Sequence, residues 1–198
     1  MIDLELQFPD LPAKLKRHLP KIYLFIAAQM QANRAFLFDA EGAYNGHPKW
    51  APLKFRKGMI LSDRGTLRKS IAPRPARGVP GQDGIVRFAG EKVTIGTSLA
   101  YAALMNWGTT KMPGGVLRAT KAKALKIPIP GGKGATEAAK SLRQGATTLK
   151  NAQGKSEKFI FRKSVRIPAR RFDEWSNADQ TEMEEALAGY LAKILRGA

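Results

Sequence analysis

Several places in this chain carry residue types that could do chemistry. Residues 131–134, GGKG, set a lysine among glycines as a phosphate loop does. The leading glycine at the required spacing and the Ser/Thr after the lysine are both missing, and no buried strand clearly precedes the run. His18 and His47 are the two histidines, distant from each other and without acidic residues at ligand spacing, so they make a poor metal site. No serine stands near either histidine in the arrangement a nucleophilic triad needs. Asp63 and Glu91 could hold a divalent ion for phosphodiester cleavage, but nothing in their spacing asks for it. Asp63 reads instead as a turn or cap residue. There is no cysteine, which removes thiolate chemistry and any disulfide framework. The expectation is a chain with no catalytic residue, no metal and no cofactor.

Charge is the stronger signal. The 198 residues carry 34 Lys and Arg against 16 Asp and Glu, a net charge of +18. Such a field attracts polyanions, either nucleic acid or an acidic protein surface. The charge is segregated. Residues 111–166 hold 14 cations, opposed by Glu137 and Glu157 alone, whereas residues 172–198 hold six acids against Lys193 and Arg196. The candidate contacts with DNA or an acidic partner are Lys121, Lys123, Lys126, Lys133, Lys140, Arg143, Lys150 and Lys155. Against a free nucleic-acid-binding protein, the basic segment has few aromatics to stack bases, Phe159 and Phe161 alone.

The elements that position these residues follow from periodicity. Residues 93–108 organise the rest: Val93 and Ile95 alternate with Thr94 as in a half-buried strand, and Gly96 ends it. Thr97 or Ser98 then caps a helix whose apolar side is Leu99, Ala102, Ala103, Leu104 and Trp107, stopped by Gly108. Residues 84–88 and 92–95 pair as a hairpin with Gly90 in the turn. Upstream, residues 2–8 have strand spacing, 11–19 suit a short helix, and Pro20 starts or kinks a long one. Its stripe is Ile22, Tyr23, Ile26, Met30 and Leu37. Residues 41–50 are loop, with Trp50 plugging a core edge or anchoring a partner. Asp63 or Thr66 caps residues 67–71, and residues 73–83 read as a mobile loop.

Residues 124–129 and 158–165 are strand-like and pair as a long basic hairpin. Its tip, 131–154, is Gly/Lys/Ala-rich and too poor in large apolar groups to fill a core. Residues 176–179 cap a final helix with acids in its first turns and a stripe of Met183, Ala186, Leu187, Tyr190, Leu191 and Ile194. The longest strongly apolar run, 22–30, falls far short of the roughly 20 residues a membrane span needs. The acidic N-terminus lacks a signal-peptide pattern, so a soluble chain that stays where it is made is expected.

Taken together, the motifs resemble the phage virion morphogenesis family, the Mu-like tail completion proteins. A long N-terminal helix leads through Phe38 to Trp50-Ala51-Pro52-Leu53. Then come Ile60-Leu61, Asp63, Gly65, Leu67 and Ser70-Ile71, followed by Val93, Ile95, Gly96, Thr97, Tyr101, Ala102 and, beyond Trp107, Gly108. Last is Ile167-Pro168-Ala169-Arg170 with Phe172, ahead of a helix. The candidate subunit-interface or motif positions are Trp50, Pro52, Leu53, Asp63, Gly65, Leu67, Gly96, Thr97, Tyr101, Trp107, Gly108, Pro168, Arg170 and Phe172. The chain departs from the pattern at Leu104-Met105-Asn106, where the family has a His-Gln-like pair, and in the length of its basic segment.

The resemblance implies one α+β domain over 1–198, with an antiparallel sheet packed by the N- and C-terminal helices. The basic hairpin arm at about 111–166 is read from the residues themselves; the resemblance implies no catalytic residues. It further implies a virion subunit, assembled in the host cytoplasm, that forms a hexameric ring at the tail top or neck. That ring would meet a tail terminator and head-completion or connector proteins. Its basic arm would reach a neighbouring copy or the end of the packaged DNA.

Overall fold

The computed structural model describes residues 2–5, 17–53, 59–61, 65–89, 92–110, 112–120, 123–128, 136–144, 146–150 and 156–196. The chain is mixed α+β, with small antiparallel sheets and a C-terminal helix. It divides into two compact units: 1–50 with 61–102 and 171–198, and 51–60 with 103–170. The second contains the whole of the basic segment.

In the first unit, β1 (Ile2–Glu5) and β2 (Gly84–Ala89) flank β3 (Lys92–Thr97), both antiparallel to it. The hairpin pairs Ala89 with Lys92; Gly90, expected in its turn, lies outside the described residues. Two expectations about β3 are corrected. Val93, Thr94, Ile95 and Gly96 are all buried, so the strand is covered on both faces and not on one. Gly96 does not end it; it pairs with Ile85, and the strand runs on to Thr97.

Helix α1 (Leu19–Asp39) carries Pro20 in its first turn, where a missing N–H costs nothing. Its stripe is as the spacing requires: Ile22, Ile26, Met30 and Leu37 are fully buried, and Tyr23 stacks on Phe88. Helix α2 (Thr66–Ile71) starts after Gly65, which has φ 71° and makes no side-chain cap bond. Thr66 is therefore its first residue and not its cap, and Asp63 lies outside the described residues. Residues 73–83 are irregular but tied down. The Gln31 amide donates to the Val79 carbonyl at 2.7 Å and accepts the Gly78 N–H at 3.0 Å. The pinning comes from a polar residue on α1 that the loop's own composition does not reveal.

Trp50 ends the loop after α1. Its ring meets Phe38 edge-on at 5.4 Å, and Phe172 lies 5.8 Å from Phe38 on another side. The indole N–H donates to the Arg171 carbonyl at 3.2 Å. Trp50→Phe keeps an aromatic against Phe38 but removes that donor. It is expected to cost about 1–2 kcal/mol, read from the urea midpoint.

Helix α3 (Ala102–Trp107), in the second unit from residue 103 on, begins later than the sequence pattern suggests. Thr97 Oγ accepts the Leu99 N–H at 3.2 Å and holds a turn ahead of it. Leu99 therefore precedes the helix, and Ala103 is exposed whereas Asn106 is buried. β4 (Leu117–Arg118) pairs with β8 (Ser164–Val165). β5 (Leu125–Pro128) pairs antiparallel with β7 (Ser156–Arg162), Ile127 opposite Ile160.

These are the two runs read as a hairpin, but no bare arm links them. The connection folds into helix α4 (Glu137–Gln144) and strand β6 (Thr147–Lys150), which adds to the other edge of β7. Thr136 Oγ caps the Ala139 N–H at 3.3 Å, and Ala139 is completely buried. The helix sequence, EAAKSLRQ, is rich in strong helix formers, a signal diluted by the surrounding glycines.

Helix α5 (Asn177–Arg196) packs on α1, with Phe25 and Tyr190 stacked at 4.2 Å and 2°. Its expected stripe is only partly used. Met183 is buried, while Ala186, Leu187, Tyr190, Leu191 and Ile194 are half-buried. Among the described residues no helix is long and apolar enough to cross a membrane.

Candidate functional site

The densest chemistry in the first unit lies where α1, the loop after it and the start of α5 converge. Asn33 and Arg34 follow Met30 by three and four residues, so the helical repeat turns them toward the buried face. Both are buried, Arg34 completely. An apolar pocket would strand a guanidinium, so its donors need acceptors. It forms an ion pair with Asp179, donates to the Glu174 carbonyl at 2.6 Å and gives its Nε–H to Asn33 Oδ1 at 3.0 Å. Its carbon lies 4.9 Å from the centre of the Trp175 ring.

Asp179 is the hub. One carboxylate oxygen accepts from Asn33 at 2.9 Å and from Asn45 at 3.1 Å. The other accepts from Arg34, from His47 Nε2 at 2.7 Å and from the Ser176 N–H at 3.2 Å. Ser176 Oγ in turn accepts the Asp179 N–H at 3.0 Å, which makes a reciprocal capping box at the start of α5. The same hydroxyl donates to the Asn45 carbonyl at 2.6 Å. Asn45, at φ 47°, is thereby held in a left-handed turn. One turn along α5, Glu182 accepts from Asn33 at 3.2 Å, Asn45 at 2.6 Å and Tyr44 at 3.0 Å.

Burial alone would raise the Asp179 carboxyl. The hydrogen bonds from His47 and Asn33, the Arg34 charge and the Ser176 amide outweigh it and bring the pKa down from 3.8 to about 2. Burial lowers the Arg34 guanidinium, and Asp179 pulls the other way. Burial, with Glu182 at its hydroxyl, raises Tyr44 to about 12. A cavity of about 10 Å³ lies beside the cluster, lined by Gln29, Asn33, Trp175, Asp179, Glu182 and Met183. That is room for about one water and far below the roughly 300–1,000 Å³ typical of small-molecule sites. The arrangement saturates a buried charge pair and fastens one loop and two helices together. Among the described residues no group of three or more His, Cys, Asp or Glu is placed to hold a metal ion.

The expected cap of the final helix at residues 176–179 is present as the Ser176–Asp179 bonds, but nothing in the sequence reading brings the cluster together. Asp179 and Glu182 read as dipole-favouring acids, and His47 and Asn45 as loop residues. The available signal was Asn33-Arg34 falling on the apolar phase of α1, which demands a buried acceptor elsewhere.

The motif positions fall apart into two kinds. Trp50, Leu67, Gly96, Gly108, Arg170 and Phe172 are buried. In the second unit Gly108, at φ 61°, lies against the backbone of Ile167–Ala169. Arg170 donates to the Ala51 carbonyl at 3.2 Å, its N–H meets the Asn106 carbonyl at 3.1 Å, and burial lowers its pKa. Pro52, Tyr101 and Pro168 are exposed; Leu53, Gly65, Thr97 and Trp107 are half-buried.

No family model, curated protein or solved structure matches this chain.

Of the candidate polyanion contacts, Lys123 is exposed and Arg143 half-buried. Lys126, Lys140 and Lys150 are placed by their backbones on β5, α4 and β6. Lys121, Lys133 and Lys155 lie outside the described residues. The acidic start of α5 is partly spent inside the unit. Asp179 is fully buried and Glu182 is bonded to Tyr44, Asn45 and Asn33, which leaves Glu184 and Glu185 exposed.

Proposed function

We propose that the chain is a structural virion subunit of a tailed phage. It forms a ring of copies, hexameric in this reading, at the tail top or neck. The ring completes the tail and lets it join the head. The observation that carries the reading is the placement of the ordered motifs at packing joints. Trp50 and Phe172 flank Phe38 in one unit, and Gly108 backs onto Ile167–Ala169 in the other. Residues used this way serve a rigid scaffold, which a ring subunit needs. The proposed partners are neighbouring copies, a tail terminator and head-completion or connector proteins, with packaged DNA within reach of the basic unit. The role involves no cofactor, no catalytic residue and no membrane.

Electron micrographs of particles assembled without this chain are expected to show filled heads and finished-length tails lying separate. Joined, infectious particles would overturn the reading, as would a purified monomer that turns over a small substrate.

A second reading, a free nucleic-acid-binding protein, is favoured by one observation: 14 cations against two acids over residues 111–166. Tight filter binding by isolated monomer at physiological salt is its expected mark.

A further inference from the structure

The cations of the second unit are not equivalent. Lys158, half-buried on β7, donates its ammonium to the Arg143 carbonyl at the end of α4 at 2.8 Å. By contrast Arg162 ends β7, Lys163 lies at the bend between β7 and β8, and Arg166 follows β8, and all three are exposed. Arg118, also exposed, sits opposite Ser164 in the β4–β8 ladder, between the levels of Arg162 and Arg166. None of the four pairs with a described acid; Glu157 stands at the far end of β7. At about 3.3 Å per residue, these four charges lie within roughly 13 Å of extended chain. Phe161 heads the run and is 48% exposed, although its neighbour two residues back, Phe159, is 7% exposed. Residues 161–164 are exposed without a break, so both sides of the strand end are open.

A cationic ridge that pairs with no described acid attracts any polyanion, but two features select among them. Three of the four cations are arginines, whose planar fork matches phosphate oxygens. An exposed ring beside them offers a base a face to stack on, which an acidic protein surface would not use. We propose that the ridge formed by Phe161, Arg162, Lys163, Arg166 and Arg118 binds single-stranded nucleic acid, with phosphates on the cations and a base stacked on Phe161. The site differs from the lysines of 121–155 that composition singles out. It rests on the DNA-contact part of the proposed function and not on ring assembly.

The test uses the full chain and a fluorescent single-stranded oligonucleotide, titrated by anisotropy across a range of salt. The variant Arg162→Gln/Lys163→Gln/Arg166→Gln is expected to lower affinity and to flatten the slope of log K against log salt by about 2. Phe161→Ala is expected to weaken single-strand binding about 5- to 140-fold and duplex binding far less. Lys193→Ala/Arg196→Ala, at exposed positions on α5, serves as the charge control and is expected to bind within about twofold of the parent. Equal losses in the control variant would overturn the proposal by making the attraction diffuse. An inert Phe161→Ala, or polyglutamate competing as well as the oligonucleotide, would also overturn it. The outcomes separate from those for the ring. Failed head–tail joining without the chain, together with no nucleic-acid binding by the chain, removes this inference alone. Normal joining with a binding ridge removes the ring alone.

Discussion

Asp179→Ala is expected to destabilise the first unit by about 3–5 kcal/mol, because it leaves a buried guanidinium without its counter-charge. Arg34 is completely buried, and its remaining acceptors are the Asn33 side chain and the carbonyls of Phe172 and Glu174. The same change strips an acceptor from Asn33, Asn45, His47 and the Ser176 amide. The measurement is a urea or thermal melt. The decisive comparison is the double replacement Arg34→Met/Asp179→Leu, which removes both charges. It is expected to recover most of the loss, since the cost of a broken buried pair is the stranded ion and not the missing attraction. A single variant within about 1 kcal/mol of the parent would mean that water reaches Arg34 and that the cluster is no lock.

The same hub fixes an acid response. The Asp179 carboxyl titrates at about 2 in the folded chain against 3.8 as a free side chain. A depressed folded value means that the stabilisation is fully present above about pH 4 and is lost as pH falls through about 2. Its size is on the order of 2 kcal/mol. Asp179→Asn should therefore flatten the acid limb of the stability curve between those values, with the parent steeper.

Where sequence and structure part company, the cause is physical in each instance. Helix α1 and the β2–β3 hairpin are legible because their signals are local: a 3.6-residue apolar phase, and two strand-like runs only a few residues apart in sequence. The β5–β7 pairing is legible from two matching apolar runs. What lies between them is not. Glu137–Gln144 is helical by the propensity of its own eight residues, yet averaging over 131–154 buries that signal in glycine and lysine. Gly96 misleads for another reason. Glycine commonly marks a strand's end, but here it lies mid-strand opposite Ile85, in a strand buried on both faces. The polar cluster is the least legible part. Its members come from residues 33–34, 44–47 and 174–182, and no periodicity links segments that far apart. Only the misfit of Asn33-Arg34 on an apolar face hints that an acid must come to meet them.

Gly108→Ala is expected to cost about 3 kcal/mol or more, through two effects that can be separated. Its φ of 61° is strained for any side chain, and a Cβ there would sit 2.4 Å from the Ile167 carbonyl oxygen and 2.6 Å from the Ala169 nitrogen. Those are backbone atoms, so no rotamer relieves the clash. The segments would have to part, and with them the Thr109 N–H to Ile167 carbonyl bond of 2.9 Å and the Ile167 N–H to Thr109 Oγ bond of 3.2 Å. Gly115→Ala is the control: its φ is 65°, but nothing lies within 4 Å of the added carbon. It should show the conformational strain alone, about 1–2 kcal/mol. The excess of Gly108 over Gly115 then measures the close approach. Faster amide exchange at Thr109 and Arg170 in Gly108→Ala alone would locate the damage. If the two variants melt together, the contact between residues 108 and 167–169 is not what fixes this joint. In sequence, the glycine after α3 and the Ile167-Pro168-Ala169-Arg170 run are separate motifs some sixty residues apart. In the structure they are two sides of one contact, so a change that spares either motif but widens the gap should fail as fully as deleting one.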